Sequence, residues 1–305
     1  MLKISVIIPT KNRASDLRDT LSDLLAQNRQ PDEIVIVDQS VAPSFDPRGF
    51  PITVEFIHAP QVSGAAVARN VAMDHATGDL WLFLDDDVIL EPDYVEQIAR
   101  AYAPGVAGVS GIITNYAVPP LSRRAFERIF VKGAFHDDRQ PIYWKAEELR
   151  SGGPVRVKQF GCGVMSFRAD VIRRLRFDPA LTGCSLAEDI DFCARLPEGS
   201  TLVIAPKARL VHKRSKAGRE TSHWLEAHAQ SSTYMRWRNW RRGLWDDLCF
   251  GWLQVGYALM ATLGSINRRS LEPFYAWKRG RARAISFAAP KSRSAGSARI
   301  EEEVA

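Results

Sequence analysis

Three consecutive carboxylates, Asp85, Asp86 and Asp87, directly follow the apolar run 80–84 in the stretch LWLFLDDDV. Adjacent carboxylates repel one another, and burial is costly for each of them unless a positive group meets it. In an extended segment the side chains at positions i and i+2 share a face, so Asp85 and Asp87 can converge on one ligand. A divalent cation would offset the repulsion, since Mg²⁺ prefers oxygen ligands. The alternative interpretation is a solvated acidic turn that caps the next helix.

Two other side chains in the first hundred residues carry groups that suit a nucleotide. Asp38 ends the run EIVIVD, where a carboxylate can accept hydrogen bonds from a nucleobase or from ribose hydroxyls. Arg69 lies in GAAVARN, whose small residues allow a helix to approach a sheet closely, and its guanidinium can bind a diphosphate. Taken alone, Asp38 is as consistent with a loop-capping role, and Arg69 with a solvated position.

A candidate base and a candidate ligand lie further along the chain. In AEDIDFCARL, Asp191 and Arg195 stand four residues apart, which favours a structural ion pair on a helix. Asp189 lies in the first turn of that helix and is the candidate general base, with N-terminal capping as the alternative. His212 ends ARLVH and can ligate a metal or a phosphate, although an isolated histidine is more often structural.

Alternating strands and helices must position these groups. Apolar β-branched runs predict strands at 3–10, 33–38, 52–58 and 80–84, and periodic leucine and alanine patterns predict helices at 15–27, 67–76 and 92–102. This alternation predicts a largely parallel sheet covered by helices on both faces. Ligands of such sheets bind at the carboxyl ends of the strands, where Thr10, Asp38 and the acidic triplet fall.

The second half of the chain is predicted in less detail. Residues 115–154 form an irregular excursion, 201–206 and 208–212 form two short strands, and the chain is helical after 218. The stretch 248–267 contains no charged residue and is about long enough to span a bilayer. Its glycines and amides favour instead a helix that is buried or lies in the membrane interface.

Charge is distributed unevenly between the two parts of the chain. The first 200 residues hold 22 Lys and Arg against 27 Asp and Glu, whereas the last 105 hold 19 against 8. The basic part predicts a negatively charged neighbour, such as a membrane surface or a phosphorylated substrate. No nucleic-acid-binding motif accompanies it, so we expect no nucleic acid partner. Four cysteines without a CxxC pair, and Lys3 and Pro9 in the first apolar run, favour a cytoplasmic, reduced protein.

The ordered set of motifs SVIIPTKNR, IVIVDQS, GAAVARNVAMDHATGDLWLFLDDDV, GCGVMSFRADVI, AEDIDFCARL and LVH resembles the inverting glycosyltransferases of family 2. The resemblance implies an α/β fold of the GT-A type, with a Rossmann-like, mostly parallel central sheet flanked by helices and a C-terminal helical extension. It places the catalytic domain at 1–217, with nucleotide-sugar binding in 1–115 and the acceptor side in 116–217. A helical region at 218–288 and a disordered tail at 289–305 follow.

The resemblance also implies a role for each candidate residue. The nucleotide sugar is assigned to six positions: Thr10, Arg13, Asp38, Arg69, Asp85 and Asp86. Mg²⁺ or Mn²⁺ is assigned to Asp87 and His212, and the catalytic base to Asp189.

Two departures from the family pattern leave the nucleobase open. Lys11 stands where many members have an aromatic residue, and the second strand ends in DQS rather than DDGS or DNGS. UDP- and dTDP-sugars are the favoured donors, with GDP-sugars remaining an alternative. The implied reaction is metal-dependent transfer of a hexosyl or deoxyhexosyl group to a hydroxyl acceptor in cell-surface polysaccharide or lipid-linked glycan assembly. A nucleotidyltransferase and a catalytically silent nucleotide-binding scaffold are the rival interpretations.

The basic, aromatic C-terminal helices favour attachment to an anionic membrane, with Trp and Arg at the level of the headgroups. This suits a lipid-linked or glycan acceptor and a protein that is peripheral at the cytoplasmic face of the membrane. Packing on the catalytic domain and a homodimer contact are the alternatives for the same helices.

Overall fold

The computed structural model describes residues 2–116, 118–136, 146–161, 163–181, 187–214, 224–238 and 243–288. The predicted tail and the predicted domain boundary at 217 lie outside these residues.

A nine-stranded sheet organises the described residues, in the order β3-β2-β1-β4-β8-β6-β9-β5, with β7 paired to β9. The strands are β1 (Ile4–Thr10), β2 (Glu33–Asp38), β3 (Thr53–His58), β4 (Leu80–Leu84), β5 (Val88–Leu90), β6 (Val106–Ile113), β7 (Val155–Val157), β8 (Val164–Arg168) and β9 (Thr201–His212). The described α-helices are α1 (Ala14–Leu25), α2 (Ala65–His75), α3 (Tyr94–Arg100), α4 (Leu121–Phe130), α5 (Ala146–Arg150), α6 (Ala169–Ile172), α7 (Glu188–Ala194), α8 (Trp224–Arg238), α9 (Leu244–Arg268) and α10 (Glu272–Ala288).

The first four strands pair in parallel, as the sequence predicts. Side chains alternate between the two faces of β1, so that Ile4, Val6 and Ile8 pack with α1 while Ile7 packs with α2. Both faces are therefore covered, which explains why these strands are continuous apolar runs. The α/β fold with helices on both sides of a central sheet is confirmed.

The second half of the sheet is mixed. Strand β8 runs antiparallel to both β4 and β6, while β6 and β9 are parallel. The prediction of two short strands at 201–206 and 208–212 is wrong, because β9 is a single strand of 12 residues. Pro206 is tolerated since the pairing of β9 with β6 skips from Ile204 to Arg209, so its missing N–H costs no ladder hydrogen bond.

The C-terminal helices form a separate apolar cluster beside the sheet. Leu253, Tyr257 and Ala261 of α9 are buried in this cluster, which also includes Phe130 of α4. Helix α9 is the one helix in the described part of the chain whose length and composition suffice to cross a membrane, and a third of its most apolar window is buried. One such helix is weak evidence for a span, because a core helix passes the same criterion.

Candidate functional site

The acidic triplet lies in the short connection between β4 and β5, at the carboxyl edge of the parallel strands. Thr20 of α1 holds the backbone of this connection, because its hydroxyl is within 2.9 Å of the Asp86 carbonyl and 3.0 Å of the Val88 carbonyl. Lys213, directly after β9, donates its backbone N–H to the Asp87 carbonyl at 2.8 Å. The triplet is therefore fixed from two sides before any ligand binds. Sequence reasoning missed Thr20.

Asp86 is bound by side chains of the chain itself. Thr10 donates its hydroxyl to Asp86 Oδ2 at 2.7 Å, and Arg13 Nη1 lies 2.9 Å from Oδ1. Burial raises the pKa of Asp86 to about 6, although Thr10 and Arg13 oppose this rise by favouring the ionised carboxylate. The structure thus brings three of the predicted nucleotide-binding residues together, with Thr10 and Arg13 both in contact with Asp86.

Asp85 and Asp87 converge on His212, as the i, i+2 spacing predicts for the two carboxylates. One ligand atom from each of the three residues lies within 4.8 Å of the others. His212 Nε2 is 2.9 Å from Asp87 Oδ1 and 3.7 Å from Asp85 Oδ2. The pairing of β5 with β9 sets Val88 opposite His212, which explains how the histidine reaches the triplet. Two carboxylates and an imidazole are a donor set that fits a divalent cation.

Asn115 fixes the backbone of His212 and was not identified from the sequence. Its side-chain nitrogen donates to the His212 carbonyl at 2.8 Å, and its oxygen accepts the His212 N–H at 3.1 Å. The imidazole is therefore held at the end of a strand rather than on a free loop. Only the fold reveals this contact, since 97 residues separate the partners.

Arg69 is buried, so the alternative of a solvated arginine is wrong. Its Nη2 lies 3.1 Å from Asp85 Oδ1, and its Nη1 lies 3.4 Å from Glu188 Oε1. The guanidinium also lies over the Phe177 ring, 5.7 Å from its centre. Arg69 therefore links the acidic triplet to the first turn of α7, which carries the candidate base. Glu188, the first residue of α7, is a further site residue.

Asp189 occupies the second position of α7 and is 5% exposed. Its Oδ1 accepts the N–H of Ile190 at 2.8 Å. Ala187, directly before the helix, has a left-handed backbone with φ of 77°, a strained conformation for a residue with a side chain. The predicted ion pair on the same helix is confirmed, with Arg195 and Asp191 2.6 Å apart.

Asp38 is fully buried and caps the loop after β2. Its two carboxylate oxygens accept the backbone N–H groups of Ser40 at 2.9 Å and Ser44 at 2.6 Å. Burial would raise the pKa of Asp38, but the hydrogen bonds from Ser40 and Ser44 outweigh burial and lower it. These contacts match the loop-capping interpretation, and a contact of Asp38 with a nucleotide stays a prediction.

Gly163 gives Asp85 the room that it occupies. A Cβ atom at this position would lie 2.5 Å from Asp85 Oδ2, and the backbone φ of 93° also favours glycine. The glycine lies in the GCGVM stretch, which is part of a motif named in the sequence analysis. Its contact with Asp85 could not be predicted from the sequence.

The ion pairs described at this site involve more carboxylates than cationic groups. Four carboxylates stand against two guanidinium groups and one imidazole: Asp85, Asp86, Asp87 and Glu188 against Arg13, Arg69 and His212. A divalent cation would add positive charge beside Asp85 and Asp87. Bound cations usually share such carboxylates with substrate phosphates.

Known proteins resemble this chain in sequence. The family model of Glycosyl transferase family 2 matches residues 5–172. The succinoglycan biosynthesis protein ExoM of Rhizobium meliloti strain 1021 is 29% identical over 227 residues, which cover 70% of this chain and 67% of ExoM. The glucosyl-dolichyl phosphate glucuronosyltransferase of Haloferax volcanii is 29% identical over 235 residues, covering 70% and 69% of the two chains. The matched part spans only 42% of the pre-mycofactocin glycosyltransferase of Mycobacterium tuberculosis.

Solved structures share the fold at lower identity. TarS 1-349 of S. aureus in complex with UDP-GlcNAc superposes with a TM-score of 0.62 at 17% identity, covering 95% of this chain and 82% of TarS 1-349. The mannosyltransferase PcManGT from Pyrobaculum calidifontis, solved with GDP-Man and Mn²⁺, has a TM-score of 0.53 at 18% identity and covers 94% and 86% of the two chains. The GT-A fold expected from the sequence is therefore confirmed. Because the family model covers more than half of its residues, the chain belongs to glycosyltransferase family 2.

Proposed function

We propose that this glycosyltransferase is metal-dependent and inverting, and that it moves a hexosyl or deoxyhexosyl group from a nucleotide sugar to an acceptor hydroxyl. The observation that carries the proposal is the convergence of Asp85, Asp87 and His212 at the carboxyl edge of the sheet. Arg69 joins this cluster to α7, which bears Asp189. Donor-binding groups and a candidate base thus belong to one connected network.

The site residues have different roles in the proposed reaction. A cation held by Asp85, Asp87 and His212 would neutralise the charge that develops on the diphosphate leaving group. Arg69 adds a fixed positive charge beside Asp85. The arrangement is preorganised, because the chain already anchors the triplet and the histidine through their backbones.

Asp189 is the proposed base. A carboxylate at this position would take the proton from the acceptor hydroxyl while the oxygen attacks the anomeric carbon, and the bond to the diphosphate would break in the same displacement. One displacement inverts the configuration at that carbon.

The solved relatives and the ligand set bear on the choice of donor and ion. Solved relatives bind UDP-GlcNAc and GDP-Man, which leaves the choice among UDP-, dTDP- and GDP-sugars to experiment. The imidazole in the ligand set favours Mn²⁺ over Mg²⁺, because Mg²⁺ takes oxygen ligands almost exclusively.

The test is nucleoside diphosphate release from a panel of UDP-, dTDP- and GDP-sugars with and without Mn²⁺. We expect slow, Mn²⁺-dependent release from one donor by the wild-type protein and none by Asp87→Ala. The control Asp170→Ala removes an exposed carboxylate that pairs with Arg168 and should keep the wild-type rate. Release of pyrophosphate from a nucleoside triphosphate and a sugar phosphate would favour a nucleotidyltransferase instead. Binding of nucleotide without any turnover would favour a silent scaffold.

The location of the enzyme is a second part of the proposal, and it is argued from α9. Seven apolar side chains of this helix form an apolar stripe with exposures between 46% and 78%: Leu244, Leu248, Trp252, Val255, Leu259, Leu263 and Ile266. A surface helix normally turns its polar face outward. The stripe runs for about 33 Å along the helix, which is far more than an isolated exposed side chain.

Basic residues adjoin the apolar stripe. Arg268 and Arg269 end α9, and exposed Arg128 and Lys132 lie at the end of α4, beside the Ile129 carbonyl that accepts the Trp252 indole N–H at 2.8 Å. An apolar face flanked by positive charge complements an anionic lipid surface. The opposite face of α9 packs on protein, so the helix would lie in the interface rather than span it.

Vesicle flotation tests this location. We expect the wild-type protein to float with phosphatidylglycerol vesicles and weakly with phosphatidylcholine vesicles, and the triple variant Val255→Gln, Leu259→Gln, Leu263→Gln to bind at least tenfold more weakly, since each lost side chain removes apolar burial. The control Val41→Gln changes an exposed valine elsewhere on the chain and should float normally. A wild-type homodimer in gel filtration that the triple variant disrupts, without vesicle binding, would assign the stripe to a second copy.

A further inference from the structure

The helix that carries the candidate base begins with a residue in an unfavourable conformation. Ala187, directly before α7, has a left-handed backbone with φ of 77° and is 2% exposed. This conformation is costly for a residue with a Cβ atom, and it persists only where the surrounding structure holds it. Asp189 follows two residues later. The contacts that hold Ala187 therefore also fix where the base begins its helix.

Met235 of α8 belongs to the apolar contacts at this point. It is 4% exposed and forms a small cluster with Ala187 and Ile190, to which no other buried apolar residue of the described chain belongs. These two partners stand before and after Asp189 in the chain. Phe192, further along α7, packs instead in the cluster that contains sheet residues. The start of α7 is thus supported by a C-terminal helix.

A cavity beside this cluster leaves Met235 without a substitute. Met235 and Ile190 both line a cavity of about 70 Å³, which residues of α4 and α9 also line. The effect of truncating a buried side chain depends on how well its neighbours can move into the space. Here the new space would add to a cavity that already exists. Truncation of Met235 would therefore remove support from α7 on this side.

We propose that Met235 is a positioning residue for the candidate base: it helps to hold Ala187 in the left-handed conformation and so keeps Asp189 in its place. The inference rests on the proposed function and adds a residue of α8 to it. The C-terminal helices then take part in catalysis as well as in the proposed membrane contact.

The alternative is that Met235 only fills the core. Replacing a residue with that role lowers the amount of folded protein but leaves the turnover of each folded molecule unchanged. Replacing a positioning residue lowers turnover, while the affinity for a donor that other elements bind stays the same. A displacement of about 1 Å at a reacting group can lower the rate about 10²-fold, so the two roles are distinguishable.

The test measures Mn²⁺-dependent nucleoside diphosphate release from the donor that the panel of nucleotide sugars identifies, with water in place of the acceptor. We expect Met235→Ala to lower kcat per folded molecule at least about tenfold, with an unchanged KM for the donor. Met235→Leu nearly conserves the volume and should stay within about threefold of the wild-type kcat. Adding Ala187→Gly to Met235→Ala should restore kcat to within about threefold, because glycine adopts positive φ without a steric cost.

Leu225→Ala is the matched control. Leu225 lies on the same helix and is also 4% exposed, but it packs in the cluster of Phe130 and Tyr257. Its truncation should lower stability and leave kcat per folded molecule unchanged. A wild-type kcat in Met235→Ala, an equal loss in Leu225→Ala, or no rescue by Ala187→Gly would overturn the proposal. If Met235→Ala does not fold, the smaller truncation Met235→Val replaces it in each comparison.

Hydrogen exchange followed by mass spectrometry needs no donor, so it separates this inference from the proposed function. We expect the backbone amides of α7 to exchange faster in Met235→Ala than in the wild-type protein, and at the wild-type rate in Leu225→Ala. Equal exchange of α7 in Met235→Ala and the wild-type protein would overturn the positioning role. Absence of release from every donor would contradict the proposed function, and the exchange of α7 would then decide whether Met235 holds the helix.

Discussion

The carboxyl edge of the sheet and helix α9 place their side chains in opposite ways. At the sheet edge, charged groups are buried and held by partners from the chain itself, as Asp86 is by Thr10 and Arg13. On α9, apolar groups such as Leu248 and Ile266 are exposed although a protein core lies on the other side of the same helix. Charged residues are usually exposed and large apolar residues usually buried, so both regions depart from this rule.

The difference concerns the kind of partner that would suit each region. Buried charges can be offset within a chain by opposite charges, as Arg13 and Arg69 do at the sheet edge, and a bound cation would add to this. Exposed apolar surface can be offset only by another apolar phase, which the described residues do not supply. On the proposed function, one region would bind a small charged ligand and the other an extended surface.

Replacing the candidate base should produce the largest effect. Asp189→Asn is expected to lower sugar transfer by about 10²–10⁴-fold, because general base catalysis contributes that much, while donor affinity stays unchanged. Transfer rates and donor affinity from calorimetry check this. The control Asp191→Asn, on the same helix, breaks the ion pair with Arg195 and should lower the melting temperature without lowering turnover per folded molecule. A wild-type rate of transfer by Asp189→Asn would show that Asp189 is not the base.

Replacing a proposed metal ligand should have the next largest effect. His212→Gln is expected to weaken Mn²⁺ affinity by at least about 10–100-fold, the loss known for even indirect disturbance of metal sites. Mn²⁺ titration followed by paramagnetic relaxation measures it. His75→Gln, an exposed histidine beside Glu55, should leave the affinity unchanged. Unchanged affinity in His212→Gln would exclude His212 from the metal ligands.

Two substitutions in the C-terminal helices should sharpen the contrast between their faces. A Cβ on Gly280 of α10 would lie 2.2 Å from the Glu226 carbonyl oxygen of α8, so Gly280→Ala should cost about 1–3 kcal/mol of unfolding free energy. Leu259→Gln, on the apolar stripe, should change it by no more than about 0.5 kcal/mol. Urea unfolding checks both values. A large loss in Leu259→Gln would mean that the stripe is covered within the protein.

The smallest effect concerns acid stability at the sheet edge. The pKa of Asp38 is lower in the folded state than in the unfolded state, so its ionised form stabilises the fold above the unfolded value. This contribution is lost as the pH falls through the lowered pKa. Asp38→Asn should therefore be less stable than the wild-type protein at neutral pH, with a smaller difference below about pH 4. Urea unfolding at both pH values checks this, and an equal difference at both would contradict it.

Local sequence patterns predicted the strands whose formation depends on the residues within each run. The runs that form β1, β2 and β4 are continuous and apolar because both faces of the sheet are covered, so the sequence alone locates them. The convergence of Asp85 and Asp87 also followed from the two-residue period of an extended chain.

Long-range pairing determined what the sequence could not predict. His212 reaches the triplet through the register of β9 against β5, and no local pattern specifies a register between segments 125 residues apart. From the sequence alone, Arg69 was as consistent with a solvated position. Its burial depends on contacts with Asp85 and Glu188, which belong to two other parts of the fold. The contacts of Thr20 and Asn115 likewise join distant segments.

The separation of Asp87 and His212 has a consequence for how the protein is made. A cation that joined them, as proposed, would close a loop of 125 residues, and closing a long loop in an unfolded chain is entropically unfavourable. Ion binding would therefore favour only chains in which β9 has already joined the sheet. During synthesis the ribosome must complete β9 before His212 can meet Asp87, so a shorter nascent chain would lack one of the proposed ligands.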